Sequence, residues 1–242
     1  MKKATVLEQV TTPDGSVQAL VERDGHYMIW VNGRELMSTR HAFSEAQLGI
    51  VGCQPLQSRK HASVLIGGLG LGFTLRAALS TVRSDAKVVV AELMPEVVTW
   101  NRNPAYPLAS AALADPRVEV ALGDVAALIA RSTARFDAIL LDADNETTAM
   151  NTAGNSALYQ LAGLARITRA LKPQGTVVYW SVGDDPALVK RLMSAGFTVE
   201  SRRVPKYDAG QGGQRPSQNS RPSGGHHVLI IGTLGAKAET GR

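Results

Sequence analysis

VLIGGLGLGFTLRAAL (residues 64–79) runs apolar for three residues, breaks into four glycines, Gly67, Gly68, Gly70 and Gly72, and resumes with helical spacing. A strand that ends in a glycine turn and opens a helix brings backbone N–H groups close to a bound molecule, because no Cβ blocks the approach. The pattern is G-G-x-G-x-G. A phosphate loop would need Gly-Lys-Ser/Thr where Gly72-Phe73-Thr74 stands, which argues against ATP or GTP hydrolysis. A nicotinamide dinucleotide remains an alternative, although its usual loop is G-x-G-x-x-G.

The strands that follow carry carboxylates at their ends. "AKVVVAE" (86–92) closes on Glu92, next to Leu93, about twenty positions past the glycines, where an acidic side chain can hold a pair of ribose hydroxyls. "VEVALGD" (118–124) closes on Asp124, next to Val125, and suits an adenine amino group. "FDAILLDAD" (136–144) supplies Asp142 and Asp144, with Asn145 following. Glycines or carboxylates thus mark successive strand ends at the edge where open α/β sheets bind ligands.

Around these motifs, short β-branched runs alternate with helical stretches, which predicts parallel strands joined by helical crossovers. Helices are expected over 74–80, 96–101, 125–131, 157–171 and 186–195. "GTVVYWS" (175–181) reads as a fifth strand, and "FTVESRRV" (197–204) with "HHVLIIGTL" (226–234) as an antiparallel pair at the sheet edge. The first forty residues alternate apolar and polar positions between Asp-Gly and Asn-Gly turn signals, the pattern of antiparallel hairpins. Ser44 is placed to cap a short helix that Pro55 ends. The fold class expected is therefore α/β: a Rossmann-like, mostly parallel sheet with an antiparallel edge strand, plus a small N-terminal antiparallel β appendage. The expected divisions are 1–43 for the appendage, 44–235 for the catalytic domain with a flexible basic loop at 202–225, and 236–242 for a tail.

With 242 residues, 44% hydrophobic and 19% charged, the chain suits one buried core, and no apolar run approaches the roughly 20 residues of a membrane span. "MKKATVLEQV" reaches Glu8 before any long apolar region, so a cytoplasmic location without a membrane partner is expected. Cys53 is the single cysteine, which excludes an internal disulfide and a cysteine-based zinc site, and its flank suggests a buried thiol. No metal site is expected. His226 and His227, adjacent on a strand, point to opposite faces and do not form one. The net charge of +5 is concentrated between Arg202 and Arg221, where a solvated loop is preferred over a nucleic-acid-binding element. "NPAY" (103–106) is similar to an amino-group methyltransferase signature but follows the wrong strand. Trp30, Trp100 and Trp180 read as packing residues, with Tyr179 or Trp180 available to wall a substrate pocket.

Residues 44 to 231 resemble the class I S-adenosylmethionine-dependent transferases of the spermidine-synthase-like group. The resemblance is carried by "VLIGGLGLGFTLR", "VVVAELMPEVVTWNR", "DPRVEVALGD" and "RFDAILLDADN". It implies S-adenosylmethionine or its decarboxylated form as cofactor, with Gly67, Gly68, Gly70, Glu92, Leu93, Asp124, Val125 and Asp142 around it. It also implies Asp142, Asp144 and Asn145 at the reacting end, a small-molecule substrate and a homodimer. Three departures stand out. Gly70 occupies the position of the group's loop aspartate, and Asn145 that of the second aspartate of its D-x-x-D pair. "TRHAFSE" (39–45) keeps only Glu45 of an acidic segment, with Phe43 and Ser44 in place of a tyrosine and a histidine, and Arg40 reverses a charge. A polyamine needs several carboxylates to offset its desolvation. Methyl transfer to a small amine-type molecule is therefore expected ahead of aminopropyl transfer to a polyamine, with an RNA methyltransferase or a non-catalytic nucleoside-binding module as further alternatives.

Overall fold

The computed structural model describes residues 3–12, 15–142, 157–206 and 225–235. Four strands, β1 (Thr5–Thr11), β2 (Val17–Arg23), β3 (His26–Val31) and β4 (Arg34–Ser38), form an antiparallel sheet in the order of the chain. Asp24 and Asn32 stand at φ of 54° and 49°, each followed by a glycine at positive φ, which is the tight-turn geometry that Asp-Gly and Asn-Gly favour.

Helix α1 (Phe43–Cys53) leads into the larger sheet. Its seven strands are β5 (Ser63–Gly67), β6 (Lys87–Glu92), β7 (Val118–Leu122), β8 (Phe136–Leu141), β9 (Leu171–Ser181), β10 (Phe197–Pro205) and β11 (His226–Leu234). The order across the sheet is β10-β11-β9-β8-β5-β6-β7. From β7 to β9 the pairing is parallel, while β11 runs antiparallel to both β9 and β10. The chain steps from β5 outward to β7 and then returns to lay β8 on the other side of β5. The carboxyl ends of β5 and β8 therefore flank the topological switch point, where such sheets bind ligands.

Helices cover both faces. On one lie α1, α2 (Phe73–Thr81), α3 (Pro95–Arg102) and α4 (Ser110–Leu113); on the other lie α5 (Val125–Ala130), α6 (Leu161–Ala170) and α7 (Pro186–Ser194). Side-chain alternation along the strands divides the core accordingly: Ile66, Val90, Leu140, Val178 and Leu229 pack on the α1 side, Leu65, Val89, Ile139, Tyr179 and Ile230 on the α6 side. That face assignment sorts the site residues described below.

Three local expectations are corrected. Ser44 lies inside α1, whose N-cap is Ala42 with no side-chain cap, because the serine is fully buried and engaged elsewhere. The helix expected over 157–171 is shorter: α6 starts at Leu161, and Leu171 already pairs with Phe136 in the sheet. Arg202 to Pro205, placed in the basic loop, are strand, because Arg202, Arg203 and Val204 pair with Leu229, Val228 and His227. Residues 207–224 and the tail at 236–242 lie outside the described residues.

A buried ionic knot ties the opposite edge of the sheet. Asp137, fully buried on β8, accepts hydrogen bonds from the Ser63 N–H and the Lys172 Nζ, both at 2.7 Å, and pairs with Arg59 at 3.0 Å. Removing Asp137 leaves the Ser63 N–H and two partly exposed cations without their acceptor, which costs about 1–3 kcal/mol. Asp137→Ala should accordingly lower the midpoint of urea unfolding without changing its slope, and leave ligand binding to the surviving folded protein intact.

Among the described residues no helix is long and apolar enough to cross a membrane. Cys53 is fully buried, and burial pushes its thiol up to about 12, so it stays protonated and unreactive at neutral pH.

Candidate cofactor and acceptor site

The glycine loop takes backbone shapes that side chains resist: Gly68, Gly70 and Gly72 have φ of 97°, 51° and 78°. A Cβ on Gly72 would run into Ala109, and one on Gly67 would press on Leu141 and Val125 at 2.9–3.0 Å. Gly72 thus allows close packing of α2 on the start of α4, and Gly67 that of β5 on the start of α5. Around Gly68 the space is different, since its nearest neighbour would be the Asp142 carbonyl at 3.5 Å. At Gly70 a Cβ would meet the Sδ and Cε of Met37, both at 2.7 Å, so the first sheet reaches the loop through a thioether.

Side chains anchor this loop from behind. Asn101 Nδ2 donates to the Gly70 carbonyl at 2.7 Å, and Arg76 donates to the carbonyls of Leu71 and Leu108 at 3.2 and 2.8 Å. From the end of β6, Glu92 accepts the Leu69 N–H at Oε2 and the Met94 N–H at Oε1, both at 2.8 Å. Glu92 is only 7% exposed. Burial raises its carboxyl above the ordinary value, and the backbone donors of Met94, Leu69, Leu93 and Gly70 oppose that rise. Glu92 thus ties the glycine loop to the end of β6 through backbone donors on both sides.

Asp124 caps α5, its Oδ1 accepting the Ala126 N–H at 2.7 Å, a structural task that the sequence reading had not assigned to it. Val125 is buried against Gly67, while Leu93 is 40% exposed at the rim. Asp142 follows β8, its N–H donating to the Gly67 carbonyl at 3.3 Å, which joins the ends of β5 and β8. The structure thus brings Gly67, Gly68, Gly70, Glu92 and Asp142 to one edge. Asp144 and Asn145 lie outside the described residues.

Sequence reasoning missed a second cluster on the same edge and the same face. Ser44, at the start of α1, donates from Oγ to Glu45 Oε2 at 2.6 Å and meets His227 Nδ1 at 2.9 Å. The His227 ring packs edge-on against Trp180 with centroids 4.3 Å apart. Trp180 is 7% exposed, and its indole nitrogen is buried without a hydrogen-bond partner. In register, Trp180 pairs with Leu229 while Tyr179 pairs with Leu141, so alternation turns Trp180 towards α1 and Tyr179 away from it. Of the two aromatic walls considered from sequence, Tyr179 is therefore excluded: it is fully buried on the other face and donates to the Leu158 carbonyl at 3.0 Å. The strand count from β8 to β11 sets Asp142 and His227 roughly 10 Å apart across the sheet. A histidine next to a tryptophan-bearing strand was visible in the sequence, but its serine partner lies 183 residues away.

The NPAY tyrosine serves another purpose. Tyr106 donates to Glu8 at 3.1 Å and packs on Tyr27, fastening the first sheet to the core. Among the described residues no group of three metal-ligating side chains converges.

A family model described as S-adenosyl-L-methionine-dependent methyltransferase matches residues 91–208, just under half of the chain. Two solved structures match almost all of it. A spermidine synthase in complex with the transition state analogue AdoDATO aligns with a TM-score of 0.67 at 18% identity, covering 96% of this chain and 73% of that one. The spermidine synthase from Thermotoga maritima aligns with a TM-score of 0.66 at 17% identity, with the same coverage. The chain has the spermidine-synthase-like fold of class I S-adenosylmethionine-dependent transferases. No curated protein matches it in sequence. In this fold the implied cofactor is of the S-adenosylmethionine type, and the residues present fit one: the open backbone at Gly68 stands beside the carboxylate at the end of β6.

Proposed function

We propose that the protein transfers the methyl group of intact S-adenosylmethionine to a small-molecule acceptor. Gly70 supports this reading most directly. The position that bears an aspartate in the resembling group carries no side chain here, and the Met37 thioether fills the space beside it. A carboxylate there would repel the carboxylate of intact S-adenosylmethionine and attract the bare ammonium of the decarboxylated form. A loop without a side-chain carboxylate at that position tolerates the former.

In this reading Gly68 and Gly70 admit the amino-acid end of the cofactor, Glu92 holds the ribose, and Leu93 with the start of α5 covers the adenine. When bound, the cofactor supplies an electrophilic methyl on a sulfonium. The protein's own work is to orient the acceptor, exclude water and remove a proton. Asp142 follows β8, the strand between the loop-bearing β5 and the Trp180-bearing β9.

Aminopropyl transfer is kept as a second reading because both solved neighbours named above are spermidine synthases and Asp142 and Glu45 survive. Calorimetric titration with the two cofactor forms separates the readings. Intact S-adenosylmethionine should bind at least about tenfold more tightly than the decarboxylated form, a difference of about 1.4 kcal/mol. In Gly70→Asp that preference should reverse, with overall affinity reduced because the new side chain displaces Met37. Tighter binding of the decarboxylated form to the unaltered protein would restore aminopropyl transfer.

A further inference from the structure

Glu45, Ser44 and His227 form a hydrogen-bonded row that ends at the buried indole of Trp180. The serine hydroxyl has one proton, and it goes to the Glu45 carboxylate. The contact between Ser44 and His227 must then be donated by the ring, which places the imidazole proton on Nδ1 and leaves the Nε2 lone pair unshared. A proton acceptor at Nε2 and an unpartnered donor at Trp180 Nε1 sit on rings 4.3 Å apart. A ligand oxygen at Trp180 Nε1 would complete this donor.

We infer that His227 is the general base for the methyl acceptor, with Trp180 Nε1–H holding a neighbouring oxygen of the same molecule, so that the acceptor is a neutral compound with two adjacent oxygens rather than a polyamine. This rests on the methyl-transfer reading. In the step, the acceptor O–H bond breaks and its proton passes to Nε2. The oxygen's electron pair forms the new bond to the methyl carbon, and the pair of the breaking carbon–sulfur bond stays on sulfur. The resulting imidazolium keeps its Nδ1–H on Ser44, and the half-exposed ring returns the proton to solvent. Asp137, buried near the start of β8, lies at the far edge and takes no part.

The surroundings favour a neutral acceptor. Burial, reinforced by Lys206 and His226, lowers the His227 imidazole to about 4, so the ring is uncharged throughout the neutral range. Glu45 reaches the ring only through Ser44. Lys206 adds a positive charge on the β10 side, which opposes a polycation at this end.

The test uses the full-length protein with S-adenosylmethionine present and catechol or putrescine as the acceptor probe. Nitrogen-15 spectra, assigned with His227→Gln and Trp180→Phe, should show His227 as the Nδ1–H tautomer, titrating near pH 4, and Ser44→Ala should abolish the tautomer preference. Catechol should shift both the His227 Nε2 and the Trp180 Nε1–H signals, whereas putrescine should shift neither. His227→Gln should lose about 100-fold or more of methyl transfer to catechol while S-adenosylmethionine affinity stays within about threefold. An Nε2–H tautomer, catechol leaving both signals in place, or full turnover by His227→Gln would overturn the assignment of base and acceptor while leaving the cofactor reading intact. Catechol shifts in a protein that fails to bind S-adenosylmethionine would instead overturn the methyl-transfer reading and keep the pocket.

Discussion

Glu92→Gln is expected to weaken S-adenosylmethionine binding by about 100-fold, equivalent to about 2.7 kcal/mol. Both carboxylate oxygens accept a backbone N–H, from Leu69 and from Met94. A glutamine amide must turn an NH2 towards one of them, setting donor against donor at a site that is 7% exposed. An unsatisfied buried N–H costs about 1–3 kcal/mol, and loss of the charged acceptor for the ribose adds a similar amount. The pH dependence has a definite sign. Because burial raises the Glu92 carboxyl, its protonation begins above the ordinary glutamate range, and cofactor affinity should fall in mild acid. Stability moves the opposite way: for a carboxyl raised in the folded state, the stabilising contribution is present below the unfolded value and is lost as pH rises through the folded one. Isothermal titration between pH 7 and 5, paired with unfolding curves, should therefore show binding weakening in acid by an amount that Glu92→Gln removes. A variant that binds as tightly as the unaltered protein would end the assignment of Glu92 to the cofactor.

Gly49→Ala should break the crossing of α1 on α2, destabilising by about 3 kcal/mol. Helix α1 crosses α2 at Gly49, where a Cβ would lie 2.5 Å from the Thr74 carbonyl oxygen, 2.7 Å from the Ala77 Cβ and 2.9 Å from the Ala78 N. Two of these three atoms are backbone and cannot swing aside. The neighbouring contact in which Thr74 Oγ1 donates to the Glu45 carbonyl at 3.0 Å belongs to the same crossing, so a helix pushed outward carries Ser44 and Glu45 with it. Loss of stability should therefore be accompanied by loss of the single His227 tautomer in the fraction that remains folded. By contrast, a methyl on Gly52 meets the Leu140 side chain, whose flexible end can give, and should be milder. Denaturant unfolding of both variants gives the ranking, and equal midpoints would remove the distinction between backbone and side-chain obstruction.

Much of the sheet was legible because its signals are local. The β-branched runs ending at Gly67, Glu92 and Leu141 are nearly continuous, as buried parallel strands require, and the Asp-Gly and Asn-Gly turns announce the first sheet. The carboxylate and glycine positions followed from strand ends alone. Ser44 was misread for a related reason: a serine just ahead of an apolar helical run is the usual sign of an N-cap, and sequence offers no way to see that the helix begins two residues earlier and buries it. The choice between Tyr179 and Trp180 failed in the same way, since adjacent strand residues point to opposite faces and only the packing says which face holds α1.

By itself the sequence determined the alternation of elements, the bare backbone after β5 and the acid at the end of β6, because strand, turn and helix preferences are written within a few residues. Tertiary structure alone decided that Met37 fills the space beside Gly70, that Trp180 rather than Tyr179 faces α1, and that Ser44 meets His227 across 183 positions. Those contacts depend on strand order and on how closely α1 packs on the sheet, and no local periodicity encodes either one.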